Sequence, residues 1–181
     1  MFRDPDPHFE SLGGQPVALR PLRVGMIGIG TVGAGTFRVL ERNQAEIAAR
    51  AGRGIEVVTV AARNLARAAA IVGEGVALTD DPLQVATHPE VDVLVEVAGG
   101  TGPARDWVLA AITHGKHVVT ANKALLAEHG EAIFGAARQH GVAVAYEGAV
   151  AVSIPIIKAL REGLTANRIG WVAGIVNGTT N

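Results

Sequence analysis

The sequence predicts an α/β fold: a doubly wound parallel sheet, followed by the beginning of a second, α+β unit. Three observations carry that prediction. Short apolar segments alternate with longer amphipathic ones from residue 22 to about residue 146. The chain of 181 residues is 49% hydrophobic and 18% charged, enough to bury a core, yet only 4% aromatic. Such a core is built from Val, Ile, Leu and Ala, as in sheets covered on both faces. After Tyr146 the alternation lapses, which marks the second unit.

The elements read in order as follows. Residues 1–21, with Pro5, Pro7 and Pro16, form a loose extension. Arg23–Ile27 is a short strand, and Thr31–Arg50 a helix turning Val32, Val39, Leu40 and Ile47 toward the sheet. Ile55–Ala61 is a Val-rich strand; Asn64–Val72 is a helix with Asn64 as its cap. Val76–Leu78 and Pro82–Ala86 form a short strand and a short helix, and Val91–Val97 the plainest buried strand. Pro103–His114 is a helix with Pro in its first turn, where a missing N–H costs little. Lys116–Thr120, Lys123–His140 and Val142–Tyr146 complete the alternation as strand, helix and strand. Pro155–Glu162 then reads as a helix and Arg168–Val176 as a longer strand. The first domain therefore spans residues 22–147, and residues 148–181 begin the second.

Composition removes several function classes. The net charge is −1 with no basic block, which argues against a nucleic-acid partner and for a small molecule. There is no cysteine, hence no disulfide framework, thiolate metal site or thioester-forming nucleophile. The six histidines form no metal motif and read as surface or helix-end residues. The most apolar run, Val142–Ile157, is broken by Glu147, Gly148, Ser153 and Pro155, so no membrane span is expected. The N-terminus lacks the order of a secretory signal. The sequon at Asn177-Gly178-Thr179 then reads as a turn, and the expected location is the cytoplasm.

Gly28-Ile29-Gly30-Thr31-Val32-Gly33 fits GxGxxG. Alone that pattern is weak, and a chain with 23 glycines produces chance matches. Here it follows a strand and opens a helix, the context that Rossmann-type dinucleotide binding requires. Gly28 allows the tight turn, Gly30 the approach of a pyrophosphate, and Gly33 close packing of helix on strand. The helix N-terminus supplies N–H groups to the phosphates. The second strand ends Ala61-Ala62-Arg63-Asn64, without the acid that holds the ribose hydroxyls of NAD. Arg63 is placed for a 2′-phosphate, which favours NADP, with NAD as the alternative; otherwise Arg63 is a solvated charge. Glu96 is either a polar anchor near the cleft or a residue at an exposed strand end. Gly99-Gly100-Thr101 follows at the carboxyl end of that strand, where open α/β sheets bind ligands.

Thr120-Ala121-Asn122-Lys123 ends a later strand and begins a helix, so Lys123 is expected at the same carboxyl edge, beside the glycine turn. From there it can set positive charge against a substrate carboxylate or carbonyl, or donate a proton. The plain alternative is a surface lysine. It is weakened because a cation opposes the dipole at a helix start.

The glycine turn, Val118-Val119-Thr120-Ala121-Asn122-Lys123-Ala124-Leu125-Leu126, Tyr146-Glu147, Ile154-Pro155-Ile156-Ile157-Lys158 and Gly174-Ile175-Val176-Asn177-Gly178-Thr179-Thr180-Asn181 together resemble homoserine dehydrogenase over residues 22–181. The resemblance implies an NAD(P) domain followed by a substrate and dimerisation domain in a homo-oligomer. It implies hydride transfer between L-homoserine and L-aspartate 4-semialdehyde, within threonine, methionine and isoleucine biosynthesis. It places Lys123 near nicotinamide and substrate, and adds Gly100, Thr101, Thr120 and Gly178 to the cofactor contacts. It also implies a sodium or potassium ion on oxygens of Glu147, Val150, Val152 and Ile154, hard ligands suited to such a cation. Two features depart from the family pattern. Val152 and Ser153 stand where glycines are usual. The family's second catalytic lysine and main acidic substrate residues fall beyond Asn181, so the isolated chain is expected to be inactive. The competing readings are another amino-acid or semialdehyde dehydrogenase of similar build, and a dinucleotide-binding module without catalysis.

Overall fold

The computed structural model describes residues 19–151 and 154–174. Among them the strands are β1 (Leu22–Ile27), β2 (Ile55–Ala61), β3 (Ala77–Thr79), β4 (Val93–Glu96), β5 (His117–Thr120) and β6 (Val144–Ala145). They form one parallel sheet in the order β3-β2-β1-β4-β5-β6. The chain winds outward from β1 to β3, crosses back to lay β4 beside β1, then winds outward the other way. The carboxyl ends of β1 and β4 therefore diverge into a crevice, the switch point where such sheets bind ligands.

Helices α1 (Thr31–Arg42), α2 (Gln44–Ala51), α3 (Leu65–Val72), α4 (Pro82–Thr87), α5 (Gly102–Thr113) and α6 (Lys123–His140) connect the strands. Strand alternation splits the apolar residues between two cores. Val24, Met26, Val60, Val93 and Val95 pack with Phe37 of α1 and Ala68 and Val72 of α3. Ile27, Leu94, Val118 and Val144 pack with Val85, Val108, Ile112, Leu125 and Ile133 of α4, α5 and α6. Both faces of the sheet centre are thus dry, as the near-continuous apolar strands require.

Local chemistry sets the helix ends. Asn64, Asp81 and Asn122 accept hydrogen bonds from the N–H groups of Arg67, Leu83 and Leu125, capping α3, α4 and α6. Gly141, left-handed at φ 66, ends α6. Lys116 is buried, and its ammonium donates to the carbonyls of His88 and Val91, pinning the start of β5 to the α4–β4 connection. Burial pushes its pKa below the ordinary lysine value, against the pull of Asp92.

Several expectations are corrected. The single helix over Thr31–Arg50 is two, broken at Asn43, whose N–H bonds the Val39 carbonyl. Val32 and Val39 do not face the sheet: they are 57% and 47% exposed, while Gly33, Ala34 and Phe37 are buried. The helix sits so close to the strands that small residues occupy the contact, which displaces the β-branched ones. The strand expected over Arg168–Val176 is absent from its described part, residues 168–174, where no neighbouring strand offers a ladder. The buried strand shortens to Val93–Glu96 and the last one to Val144–Ala145. The expected helix after Pro155 forms as α7 (Ile156–Lys158), running into a π-helical turn over Ala159–Gly163. Residues 1–18 of the expected extension lie outside the described residues; at its described end the Arg20 guanidinium donates to both oxygens of Asp92 at 2.8 and 2.6 Å. These bonds hold the Asp92 carboxyl below its ordinary pKa, with burial acting in the opposite sense. Among the described residues no helix is long and apolar enough to cross a membrane.

Candidate functional site

A cleft of about 480 Å³ opens over the carboxyl ends of β1, β2 and β4. Its floor is the glycine turn. Gly28 has φ +100, and a Cβ there would lie 2.8 Å from the Ala98 backbone; only glycine fits the turn. At Gly33 an added Cβ would strike the Gly28 carbonyl and come within 3.2 Å of Val97, so this glycine lets α1 pack onto the strands. Gly30 differs from both. Its φ is −71, and a Cβ would meet nothing within 4 Å. The protein itself imposes no need for glycine at Gly30, and the space beside it belongs to the cleft.

Gly30 is also the N-cap of α1, and no side chain caps that helix. Its first N–H groups and the positive end of its dipole are left toward the cleft. Ile29, buried, lines the cleft beside them; Thr31 and Val32 are exposed at the helix start.

Arg63 lines the adjoining wall, after β2, together with Asn64 and Arg67. Among the described residues neither arginine enters an ion pair. Arg67 stands four residues beyond Arg63, a spacing visible in the sequence. Asp80, from the β3–α4 connection, Pro82, at the start of α4, and Trp107, from α5, also line the cleft. These three come from elements that only the tertiary fold brings to β1.

The β4 side is built differently. Glu96 is fully buried, not at an exposed strand end. One carboxylate oxygen accepts from the N–H groups of Ala98 and Gly99 at 3.0 and 3.2 Å; the other accepts from the Thr120 hydroxyl at 2.8 Å. Glu96 and Thr120 are partners in the β4–β5 ladder. The Thr120 hydroxyl also accepts from the Asn122 N–H, and the Asn122 amide donates to the Gly100 carbonyl at 2.6 Å. Ala98, Gly99 and Gly100 line the cleft; Thr120 is only 1% exposed and stands behind that wall. Thr101 is the N-cap of α5, with no capping side-chain bond.

Lys123 is the first residue of α6, exposed, at the carboxyl edge as expected. It is not beside the glycine turn: β4 lies between β1 and β5. At about 4.8 Å per strand the lateral separation is about 10 Å. Of the oxygens expected to hold a cation, the Glu147 carbonyl accepts from the Val150 N–H at 3.1 Å. The Glu147 carboxylate accepts from the Ile157 and Lys158 N–H groups, both at 2.9 Å, joining the turn after β6 to α7. The Ile154 N–H donates to the carbonyl of Ala151, a non-glycine residue at φ +53. Val152 and Gly178 lie outside the described residues.

Residues 28–147 match the family model for the NAD-binding domain of homoserine dehydrogenase. The chain belongs to the homoserine dehydrogenase family. It is 58% identical over 164 residues to the homoserine dehydrogenase of Pseudomonas aeruginosa, covering 90% of this chain and 37% of that one. The Methylobacillus glycogenes homoserine dehydrogenase is 49% identical, with 90% of this chain and 40% of that protein covered. Among solved structures, the homoserine dehydrogenase of Thiobacillus denitrificans superposes with a TM-score of 0.80 at 58% identity, over 88% of this chain and 37% of that chain. The chain thus spans somewhat more than a third of the length of these homoserine dehydrogenases. The matched stretch runs from the glycine turn to the turn after β6, and nearly all the residues that line the cleft fall within it.

Proposed function

We propose that this chain is the NADP-binding portion of a homoserine dehydrogenase that interconverts L-homoserine and L-aspartate 4-semialdehyde in the biosynthesis of threonine, methionine and isoleucine. The observation that carries the reading is Gly30: an uncapped helix start facing a cleft, at a glycine the protein does not itself require. That is the cradle a pyrophosphate needs. Arg63 and Arg67 supply two guanidiniums for a 2′-phosphate, which supports NADP over NAD. A homoserine dehydrogenase of a hyperthermophilic archaeon, 19% identical and informative here about fold alone, was solved in complex with NADPH.

Bound NADP would supply the hydride acceptor. The chain's own part is to grip the phosphates at α1, hold the adenosine end by the arginines, and shape the opposite end through the Ala98–Gly100 loop. Lys123, exposed at the start of α6, would bind the substrate's polar groups and hold a proton. Residues 148–181 begin the substrate and dimerisation domain of a cytoplasmic homo-oligomer. This is supported by apolar residues left bare along the segment: Ile154, Leu164, Ile169, Trp171 and Val172, with Trp171 82% exposed. A sodium or potassium ion on oxygens of Glu147, Val150, Val152 and Ile154 belongs to the same proposal, and exchange of potassium for tetramethylammonium is expected to lower the melting temperature.

Calorimetric titration with NADPH tests the central claim, and a folded sample showing no saturable heat would refute it. In the full-length parent, Lys123→Ala is expected to lower turnover while NADP still binds; unchanged turnover would remove Lys123 from the reaction. The isolated chain is expected to bind cofactor and oxidise little or no homoserine. Orientation supplies about 7–11 kcal/mol of such a barrier and half a site cannot provide it.

A further inference from the structure

We infer that Glu96 is a positioning residue for the nicotinamide end of the cleft, acting through a clamp that fastens the Ala98–Gly100 loop at both ends. The inference rests on the dinucleotide-binding reading above. The pyrophosphate sits at α1 and the adenosine lies toward β2 and its arginines, so the nicotinamide half lies over β4. The wall it meets there is Ala98, Gly99 and Gly100.

That loop has an unusual backbone. Gly99 and Gly100 adopt φ +79 and +80 in succession, and a Cβ on either would meet nothing within 4 Å. No packed side chain fixes these two glycines; hydrogen bonds fasten the loop at both ends. At its start, Glu96 binds the Ala98 and Gly99 N–H groups. At its end, Asn122 binds the Gly100 carbonyl. Thr120 joins the two fasteners, donating to Glu96 and accepting from Asn122. The same loop presses on the glycine turn, since the Ala98 backbone is what a Cβ on Gly28 would strike. Asn122 meanwhile caps α6, so the clamp also fixes the start of the helix that bears Lys123. A buried carboxylate is costly unless its oxygens are satisfied. Three donors satisfy this one, and they are the groups that set the loop.

Glu96→Gln tests this. The amide retains one oxygen for the Ala98 and Gly99 N–H groups, but presents N–H to Thr120, leaving the Thr120 hydroxyl without its acceptor. Calorimetry on the whole chain should show NADPH binding weakened roughly three- to tenfold, the equivalent of one lost hydrogen bond. Adenosine 2′,5′-bisphosphate, which lacks the nicotinamide half, should bind within about twofold of wild type. Should the variant not fold, Asn122→Asp serves instead: it keeps the α6 cap and loses the donor to Gly100, and the same split is expected. Equal weakening of both ligands would reduce Glu96 to a structural residue, and undiminished NADPH binding would remove it from the site; either overturns the inference. Failure of the wild-type chain to bind either ligand would overturn the dinucleotide reading itself, a result separable from the other two.

Discussion

The two sides of the crevice treat their polar groups in opposite ways. On the β1–β2 side, α1 has no cap, Gly30 faces open space, and Arg63 and Arg67 have no ion-pair partner among the described residues. On the β4–β5 side Glu96, Thr120, Asn122 and the loop backbone satisfy one another. Groups without an internal partner are available to a ligand at little cost to the fold. Groups that satisfy one another contribute shape. Changes on the first side should therefore alter affinity while leaving stability alone, and changes that break close packing, as at Gly33, should lower stability.

The sharpest contrast lies within the glycine turn itself. Gly33→Ala drives a methyl into the Gly28 carbonyl. It is expected to cost about 3 kcal/mol, lowering the melting temperature by roughly 10 °C for a chain of this size. Gly30→Val has room and a permissive backbone. It should leave the melting temperature within about 2 °C of wild type while weakening NADPH roughly a hundredfold, about 2.7 kcal/mol, by filling the phosphate space. Thermal melts paired with titrations check both. If Gly30→Val unfolds the chain, the division between the two kinds of glycine fails.

The arginines sharpen the comparison next. Arg63→Ala and Arg67→Gln should each weaken NADPH about tenfold and NADH less than twofold, with unchanged melting temperatures. Equal losses for both cofactors would show that neither guanidinium reads the 2′-phosphate. The smallest effect belongs to Asp92, away from the cleft. Asp92→Asn should cost about 1 kcal/mol at neutral pH by weakening its bonds from Arg20 and the Arg23 N–H. The folded-state pKa of Asp92 is lowered, so the carboxylate's contribution is present above the ordinary carboxylate pKa and fades as pH falls through the folded value. Denaturant curves for wild type and variant should converge in acid; a gap that persists there would assign the loss to another cause.

The parts of this architecture written in local chemistry are legible in the sequence. The bounds of α6 follow from an Asn cap and a left-handed glycine, both sequence signals. The roles of Gly28 and Gly33 follow from strand–turn–helix context. Features that depend on distance are not legible. Val32 and Val39 look like the buried face of α1 by hydrophobicity, but the approach that Gly33 permits selects Ala34 and Phe37. The break at Asn43 uses neither proline nor glycine and leaves no punctuation. Glu96 was ambiguous because a strand-end position does not reveal what stands opposite, and only the β4–β5 register brings Thr120 there. Arg67 could have been found, four residues from Arg63; Asp80 and Trp107 could not, since they reach the cleft from separate elements.

Trp107 gives the cleft an optical property. The chain has only two tryptophans, and the other, Trp171, is 82% exposed. Trp107 is partly buried in the cleft wall, so its indole emits from a drier setting, at shorter wavelength. A reduced dihydronicotinamide absorbs where indole emits, and its oxidised form does not. Excitation of the protein should therefore pass energy to NADPH seated in the cleft, quenching the blue edge of the emission, while NADP leaves that transfer unlit. That quenching would make Trp107 a reporter of cofactor redox state, and Trp107→Phe would darken it, leaving Trp171 as an inner reference.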